Sequence, residues 1–202
     1  MKIGKFEIII AGALALLVLW GAWCEGSFRD LSGQVVRLHV IANSNSEEDQ
    51  RLKLQVRDAV LEAAQELTEG ADGPETARSQ LSEGLGDIEA AALSVVEQAG
   101  YEYTVGSELG TEHYDTRVYE DFSLPEGDYV SLRVTIGAGE GKNWWCVVFP
   151  PLCTASVEEY EAVSAFAMDD DSVALITEKN GGYVLKFKTM ELIGKLKEYF
   201  GW

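Results

Sequence analysis

Cationic side chains are scarce in this sequence. Its 202 residues include 16 lysines and arginines against 34 aspartates and glutamates, which gives a net charge of −18. Nucleic-acid phosphates and anionic lipid headgroups repel a chain this acidic. We therefore expect no nucleic-acid partner and no electrostatic attachment to a membrane surface.

Histidine and cysteine are also scarce, which limits metal and redox chemistry. The chain has two histidines and three cysteines, with no C-x-x-C spacing. A structural zinc site needs four such ligands brought together. We expect no metal site and no cofactor.

The familiar catalytic motifs are missing as well. The sequence contains no G-x-S-x-G and no H-E-x-x-H, the patterns of common hydrolases. The segment GAGEGK (residues 137–142) superficially resembles a phosphate-binding loop, but its glycine spacing is wrong and Asn143 follows its lysine. A flexible turn between two strands is the better interpretation, and we expect no catalytic residues and no enzyme activity.

The N-terminus combines a basic flank with an apolar run. Lys2 and Lys5 precede residues 8–23, which carry no charge. This is the pattern of a signal peptide or of a short uncleaved membrane anchor. Bulky Trp20 makes a poor site for cleavage after Ala22. Cys24 leaves lipidation as a third alternative, although Trp23 directly before it does not fit the small-residue pattern of such sites. The flank favours an extracytoplasmic body, attached to the membrane through this segment if it is uncleaved.

Hydrophobic periodicity predicts the fold class. Apolar residues alternate in several short segments and recur every three or four residues in others. The predicted strands are 35–42, 101–107, 112–122, 128–137 and 143–149, and the predicted helices are 46–67 and 74–100. The tail predicts a helix at 156–168, a strand–turn–strand at 173–187 and a short helix at 192–200.

These elements indicate an α+β fold. We expect a mostly antiparallel or mixed sheet, covered by two or more amphipathic helices and preceded by the N-terminal apolar membrane segment. The strand at 143–149 is expected to return as an antiparallel partner after the glycine turn. The predicted organisation is a signal peptide or anchor at 1–24, a connector at 25–33 and one extracytoplasmic domain at 34–202.

Cys146 and Cys153 form a close pair in the sequence. In an oxidising compartment such a pair favours a disulfide. Two free buried thiols are the main alternative, and a metal site is the weakest. The pair is therefore a possible disulfide.

The sequence contains better candidates for contacting a partner than for catalysis. Adjacent residues of a strand point to opposite faces, so at least one of Trp144 and Trp145 belongs to the core. The other either has a core role as well or contacts a partner or a sugar. His39 shares a strand face with Arg37, either as a contact or catalytic pair or as a hydrogen-bonded histidine on a half-covered face. The candidate contact residues are Arg37, His39, Asn43, Asn143, Trp144 and Trp145, on the assumption that the first strand lies in the same sheet as the tryptophan strand.

Two blocks of the sequence carry a family resemblance. They are VVRLHVIANSNSEEDQRLKLQVRDAV (residues 35–60) and FSLPEGDYVSLRVTIGAGEGKNWWCVVFPPLC (residues 122–153). With the apolar segment in front of them, they resemble the signature blocks of the stage II sporulation protein R family. Residues 67–110 and the chain after residue 153 carry no matching block.

The resemblance implies a signalling role in endospore-forming bacteria. Proteins of this family are made in the forespore and exported into the space between the two cells. There they activate a membrane-embedded aspartic protease of the mother cell, which processes the precursor of a sporulation sigma factor. The implied partner is that protease.

Two other classes of function remain open. An envelope module could bind or hydrolyse glycan through an exposed tryptophan and two carboxylates across a cleft. A structural protein of the spore septum is the other alternative. Two convergent carboxylates beside Trp144 or Trp145 would favour the hydrolase.

Overall fold

The computed structural model describes residues 5–119 and 122–153, and beyond them only residues 168, 172, 173 and 176. Apart from those four positions, the predicted helix at 156–168, strand–turn–strand at 173–187 and helix at 192–200 lie outside the described residues. The chain divides into two compact units. The larger comprises residues 32–113 and 128–170, and the smaller comprises residues 1–31, 114–127 and 171–202.

The described residues form four helices and six strands. In chain order these are α1 (Lys5–Gln34), β1 (Val36–Ile41), α2 (Glu47–Leu67), α3 (Pro74–Glu83), α4 (Leu85–Gln98), β2 (Val105–Tyr114), β3 (Arg117–Val118), β4 (Ser123–Leu124), β5 (Gly127–Ile136) and β6 (Asn143–Phe149).

The smaller unit contains most of α1 and the antiparallel pair β3–β4. Helix α1 begins before the apolar run and continues through residues 25–33, which the sequence predicts as a connector. Across the described positions, no helix has the length and apolarity that crossing a membrane requires.

The larger unit is built on a four-stranded sheet with the order β2-β5-β1-β6. Strand β1 pairs parallel with β5 and antiparallel with β6. Contacts at the two ends of β2 and β5 show that these strands run antiparallel: His113 lies against Asp128, and Gly137 N donates to Thr104 O. The predicted α+β class with a mixed sheet is confirmed.

The sheet differs from the prediction in two respects. Strand β6 is antiparallel to β1 and is separated from β5 by it, so a hairpin with the preceding strand is wrong. The strands predicted at 101–107 and 112–122 are replaced by one longer strand, β2, followed by the two-residue β3. Residues 101–104 precede β2 and belong to no strand.

One face of the sheet carries the hydrophobic core. Val36, Leu38 and Val40 of β1 point toward the helices, as the alternation predicts, and each is fully buried. Burying one such side chain contributes about 1.5–3 kcal/mol. The helices supply the opposing surface through their apolar stripes: Leu52, Val56, Val60, Leu81, Ile88, Ala92 and Val96.

Local signals set the helix boundaries. Ser46 caps α2, since its hydroxyl accepts a hydrogen bond from Asp49 N at 3.1 Å, and Pro74 opens α3. The single helix expected over 74–100 is interrupted at Gly84. A Cβ at Gly84 would lie 2.5 Å from Leu67 Cδ1, so the missing side chain lets α2 approach closely.

The chain crosses over the end of β1 on its way from β5 to β6. We call residues 137–142 the glycine loop and residues 42–46 the Asn43 turn. Backbone hydrogen bonds join the two, from Gly141 N to Ala42 O at 2.9 Å and from Glu140 N to Asn43 O at 3.1 Å. The segment that the sequence predicts as a flexible turn is therefore fixed along its length.

Glycine is required in this loop for two different reasons. Gly137 and Gly139 have positive φ angles of 57° and 66°, which residues with a side chain rarely adopt. Gly141 has no such angle, but a Cβ there would lie 2.3 Å from Ser44 O. Its missing side chain allows the two backbones to touch.

Replacing Gly141 by alanine should destabilise the protein by about 1–3 kcal/mol, because the new methyl group forces the loops apart. Gly106→Ala in β2 is the matched control, since a Cβ there meets nothing within 4 Å. Urea unfolding of both variants tests this. Equal midpoints for the two variants would contradict the proposed contact.

Candidate partner-binding site

The face of β1 opposite the helices carries charged residues. Arg37 is 0% exposed and His39 is 6% exposed, although the alternation predicts a half-covered face. The strands on either side contribute neighbours, since His39 lies opposite Arg133 of β5 and Trp145 of β6. The assumption that the first strand lies in the same sheet as the tryptophan strand is confirmed.

Glu112 of β2 connects these residues. Its two carboxylate oxygens each lie 3.2 Å from His39 Nδ1. Arg133 donates to it from Nε at 2.7 Å and makes a second close contact through Nη2, while Arg133 Nη1 lies 2.8 Å from Glu108 Oε1. We call His39, Glu112, Arg133 and Trp145 the sheet-face cluster.

The ionised carboxylate of Glu112 is the electrostatic centre of this cluster. Burial by itself would raise the pKa of Glu112, but hydrogen bonds from Ser131, Arg133 and His39 outweigh it and hold that pKa below its ordinary value. The same carboxylate raises the pKa of Arg133. An ionised carboxylate only accepts hydrogen bonds, so Nδ1 of His39 is the donor in this contact.

Aromatic stacking completes the arrangement around His39. The Trp145 indole lies parallel to the imidazole, with ring centroids 3.8 Å apart and an interplanar angle of 21°. Arg37 lies over the ring of Tyr129, with its Cζ 4.9 Å from the centroid. The cluster fixes β2, β5, β1 and β6 to one another across the sheet, and His39 is a hydrogen-bonded, buried residue.

Asn43 has a structural role in the described network. Its Oδ1 accepts from Ala138 N at 2.9 Å, and its Nδ2 donates to Asp49 Oδ2 at 2.9 Å. Ser44 Oγ donates to the same carboxylate oxygen at 2.6 Å. Burial raises the pKa of Asp49, but the hydrogen bonds from Ser44, Asn43, Tyr103 and Ser46 prevail and lower it.

The remaining candidates lie at the start of β6. Asn143 is exposed, whereas Trp144 and Trp145 are half-buried and point to opposite faces, as predicted. Trp144 packs against the core beside α2, where the guanidinium of Arg57 lies 4.5 Å from its ring centroid. A disulfide joins Cys146 to Cys153, with their Cα atoms 6.2 Å apart.

Sequence reasoning missed three residues of this region. Glu112 is the first residue of the predicted strand 112–122, and its partner His39 lies 73 residues away. Arg133 lies within the predicted strand 128–137, where no local pattern indicates its carboxylate partners. Lys53 was missed although it is only 4% exposed, because lysine ordinarily lies on the polar side of a helix.

The sheet-face cluster can hold the strands of the sheet in fixed positions. It does not provide a set of metal ligands. Among residues 5–119 and 122–153 and the four further described positions, no three His, Cys, Asp or Glu side chains are placed to hold a metal ion. The fold and the site define a small α+β domain with a partly buried ionic cluster on its sheet and a fixed glycine loop at one end.

Comparison with known proteins assigns this domain to a family. The sequence model of stage II sporulation protein R matches residues 32–159, which contain the whole sheet and helices α2–α4. Stage II sporulation protein R of Bacillus subtilis (strain 168) is 35% identical over 130 residues, covering 64% of this chain and 58% of that protein. No solved structure matches the chain. The chain belongs to the stage II sporulation protein R family.

Replacing Glu112 by glutamine should destabilise the protein by about 2 kcal/mol, because His39 and Arg133 lose a buried carboxylate. The value is below that of a fully buried pair because Arg133 is 38% exposed. Glu108→Gln is the matched control: its carboxylate binds the same arginine but is 64% exposed, and we expect a loss below about 1 kcal/mol. Equal urea midpoints for the two variants would contradict the role of Glu112.

The stability that Glu112 contributes should also depend on pH. The folded pKa of Glu112 is lowered from 4.5, so its contribution is complete above that value and is lost as pH falls through the folded pKa. Urea unfolding of the wild type and Glu112→Gln between pH 7 and acid should therefore show a difference that shrinks below pH 4.5. A difference independent of pH would show that the carboxylate charge is not its source.

Proposed function

We propose that this protein is an exported signalling protein of sporulation. In this proposal it acts outside the cytoplasm, where it binds and activates a membrane-embedded aspartic protease of the mother cell. That protease then processes the precursor of a sporulation sigma factor. The observation that carries the proposal is family membership over residues 32–159, which supports a role in sporulation.

The disulfide and the basic N-terminal flank support an extracytoplasmic location. A bond between Cys146 and Cys153 persists in an oxidising compartment and is rare in the reducing cytosol. The basic flank and apolar run at residues 2–23 also fit export of the domain out of the cytoplasm. If the segment is uncleaved, the signal acts while tethered to the membrane.

The chemistry of the sheet-face cluster is unfavourable for a glycan hydrolase. A glycosidase needs a general acid whose pKa is raised, next to a second carboxylate across a cleft. Glu112 and Glu108 both bind Arg133, and the pKa of Glu112 is lowered. Trp145 stacks on a histidine that is 6% exposed, so this face is unsuited to stacking on a sugar.

The proposal can be tested by reconstitution in a bacterium that does not sporulate. The full-length chain is co-expressed with the candidate protease and the sigma-factor precursor, and the precursor and its product are followed by immunoblotting. We expect the product only when all three proteins are present, because activation requires contact between this protein and the protease.

Two controls separate signalling from nonspecific cleavage. A protease lacking its catalytic aspartates should give no product. The double variant Leu16→Arg/Leu19→Arg interrupts the apolar run and should also give none, because the domain is then retained in the cytoplasm. Processing that proceeds equally well without this protein would overturn the proposal.

A further inference from the structure

Three of the scarce cationic side chains converge where the glycine loop enters β6. Lys53 and Arg57 lie one turn apart on α2, and Lys142 is the last residue of the loop. The positive charges of both Lys142 and Arg57 act on Lys53. In a chain of net charge −18, this local excess of cations needs an explanation.

Lys53 is buried without a carboxylate among its bonded groups. Its ammonium donates to Gln50 Oε1 at 2.8 Å and to the main-chain oxygen of Lys142 at 2.9 Å, and both acceptors are neutral. Burial lowers the pKa of Lys53, and the neighbouring charges of Lys142 and Arg57 lower it further. A buried charge is ordinarily paired, so the described residues leave positive potential uncompensated here.

Trp144 lies beside these cations and also has an unused donor. Arg57 covers its ring, and its indole Nε1–H is buried with no hydrogen-bond partner in the part of the chain that the structure describes. Buried polar atoms are rarely left in this state. Lys142 and Asn143 are exposed next to it.

The carboxylates of the neighbourhood are mostly engaged elsewhere. Asp49 accepts from Asn43 and Ser44, and Asp58 pairs with Arg57 at 2.6 Å at a position where the carboxylate is 65% exposed. Glu140 is exposed in the glycine loop itself. The nearby negative charges therefore leave Lys142 and the ammonium of Lys53 unpaired by any described carboxylate.

We propose that Arg57, Lys142 and Asn143 form a docking site for a carboxylate-bearing segment of a partner protein, with Trp144 as its apolar floor. Arg57 can exchange its exposed pairing with Asp58 for a carboxylate of the partner, since an exposed ion pair is weak. The identity of the partner rests on the proposed function. The chemistry of the segment rests on the charges at this site.

The fixed loop makes such a site effective. Lys142 N donates to Asn45 Oδ1 at 2.9 Å, and its main-chain oxygen is held by Lys53. The exposed side chains therefore project from a backbone that needs no ordering when the partner binds, which lowers the entropic cost of association.

A titration with a defined peptide tests the site directly. The probe is an N-acetylated decaglutamate peptide, and the readout is the indole N–H resonance of Trp144, assigned with Trp144→Phe. We expect a saturable shift that is absent with a decaglutamine peptide of equal length. Repulsion by the acidic protein opposes general binding of this probe, so saturation would identify a local site.

Charge reversal locates the site. Lys142→Glu should weaken peptide binding by about tenfold or more, and added salt should weaken wild-type binding. Arg51→Glu makes the same change in charge at a side chain that is 70% exposed on α2, and it should weaken binding less than about threefold. Lys142→Glu should not lower the urea midpoint, because Lys142 uses only main-chain atoms in its described hydrogen bonds and its positive charge opposes that of Lys53. Arg51→Glu should change the midpoint little, because the ion pair that it removes is exposed.

The outcomes distinguish this inference from the proposed function. Absence of a saturable shift, or equal weakening by Lys142→Glu and Arg51→Glu, overturns the docking site. In the reconstituted assay, loss of processing with Lys142→Glu but not with Arg51→Glu supports it, and unchanged processing contradicts it. Absence of processing with the wild type would overturn the proposed function, and the peptide titration would still decide on the site.

Discussion

Strand β1 lies between β5 and β6, parallel to one and antiparallel to the other, and the chain must therefore cross the end of β1 to make the sheet. The crossing brings the backbone of the glycine loop into contact with the backbone of the Asn43 turn. Gly141 meets Ser44 at a distance that no Cβ tolerates, and Gly137 and Gly139 supply the left-handed angles of the turn. Asn43 then fastens the crossing segment through its side chain. The position of one strand thus dictates the composition of two separate loops.

The position of β1 also determines where Arg133 and Lys53 find their hydrogen-bond partners. Its polar side chains meet Glu112 and Arg133 on the sheet face, and the turn that follows it brings Asp49 and Lys53 beneath the glycine loop. The carboxylates of Glu112 and Asp49 each receive several hydrogen bonds, which is the condition under which a buried carboxylate is tolerated. With arginine and lysine drawn inward in this way, an exposed lysine such as Lys142 becomes a distinctive feature of the surface.

How far the sequence predicts this structure depends on how many positions separate the interacting residues along the chain. The start of α2 next to Ser46, the start of α3 at Pro74 and the opposite faces of Trp144 and Trp145 follow from local rules, and they are confirmed. The predicted pairing of β6 with β5 is wrong. Strands that follow one another in the chain most often form hairpins, and nothing local in the sequence indicates that β1 lies between these two. The pairing of His39 with Glu112 joins residues 73 positions apart, and periodicity carries no information on such pairs. The interruption at Gly84 depends on a contact with Leu67 of another helix.

The two blocks that carry the family resemblance contain the residues that build the crossing. In the first block, Arg37 and His39 are buried on the sheet face opposite the helices, and Asn43 and Ser44 bind Asp49. In the second, the glycines permit the crossing and Trp145 stacks on His39. Because these side chains are buried or already bonded, their distinctiveness reports how the fold is specified. A partner contacts exposed residues. Among the residues that the crossing holds in place, Lys142 and Asn143 are exposed, and both belong to the proposed docking site.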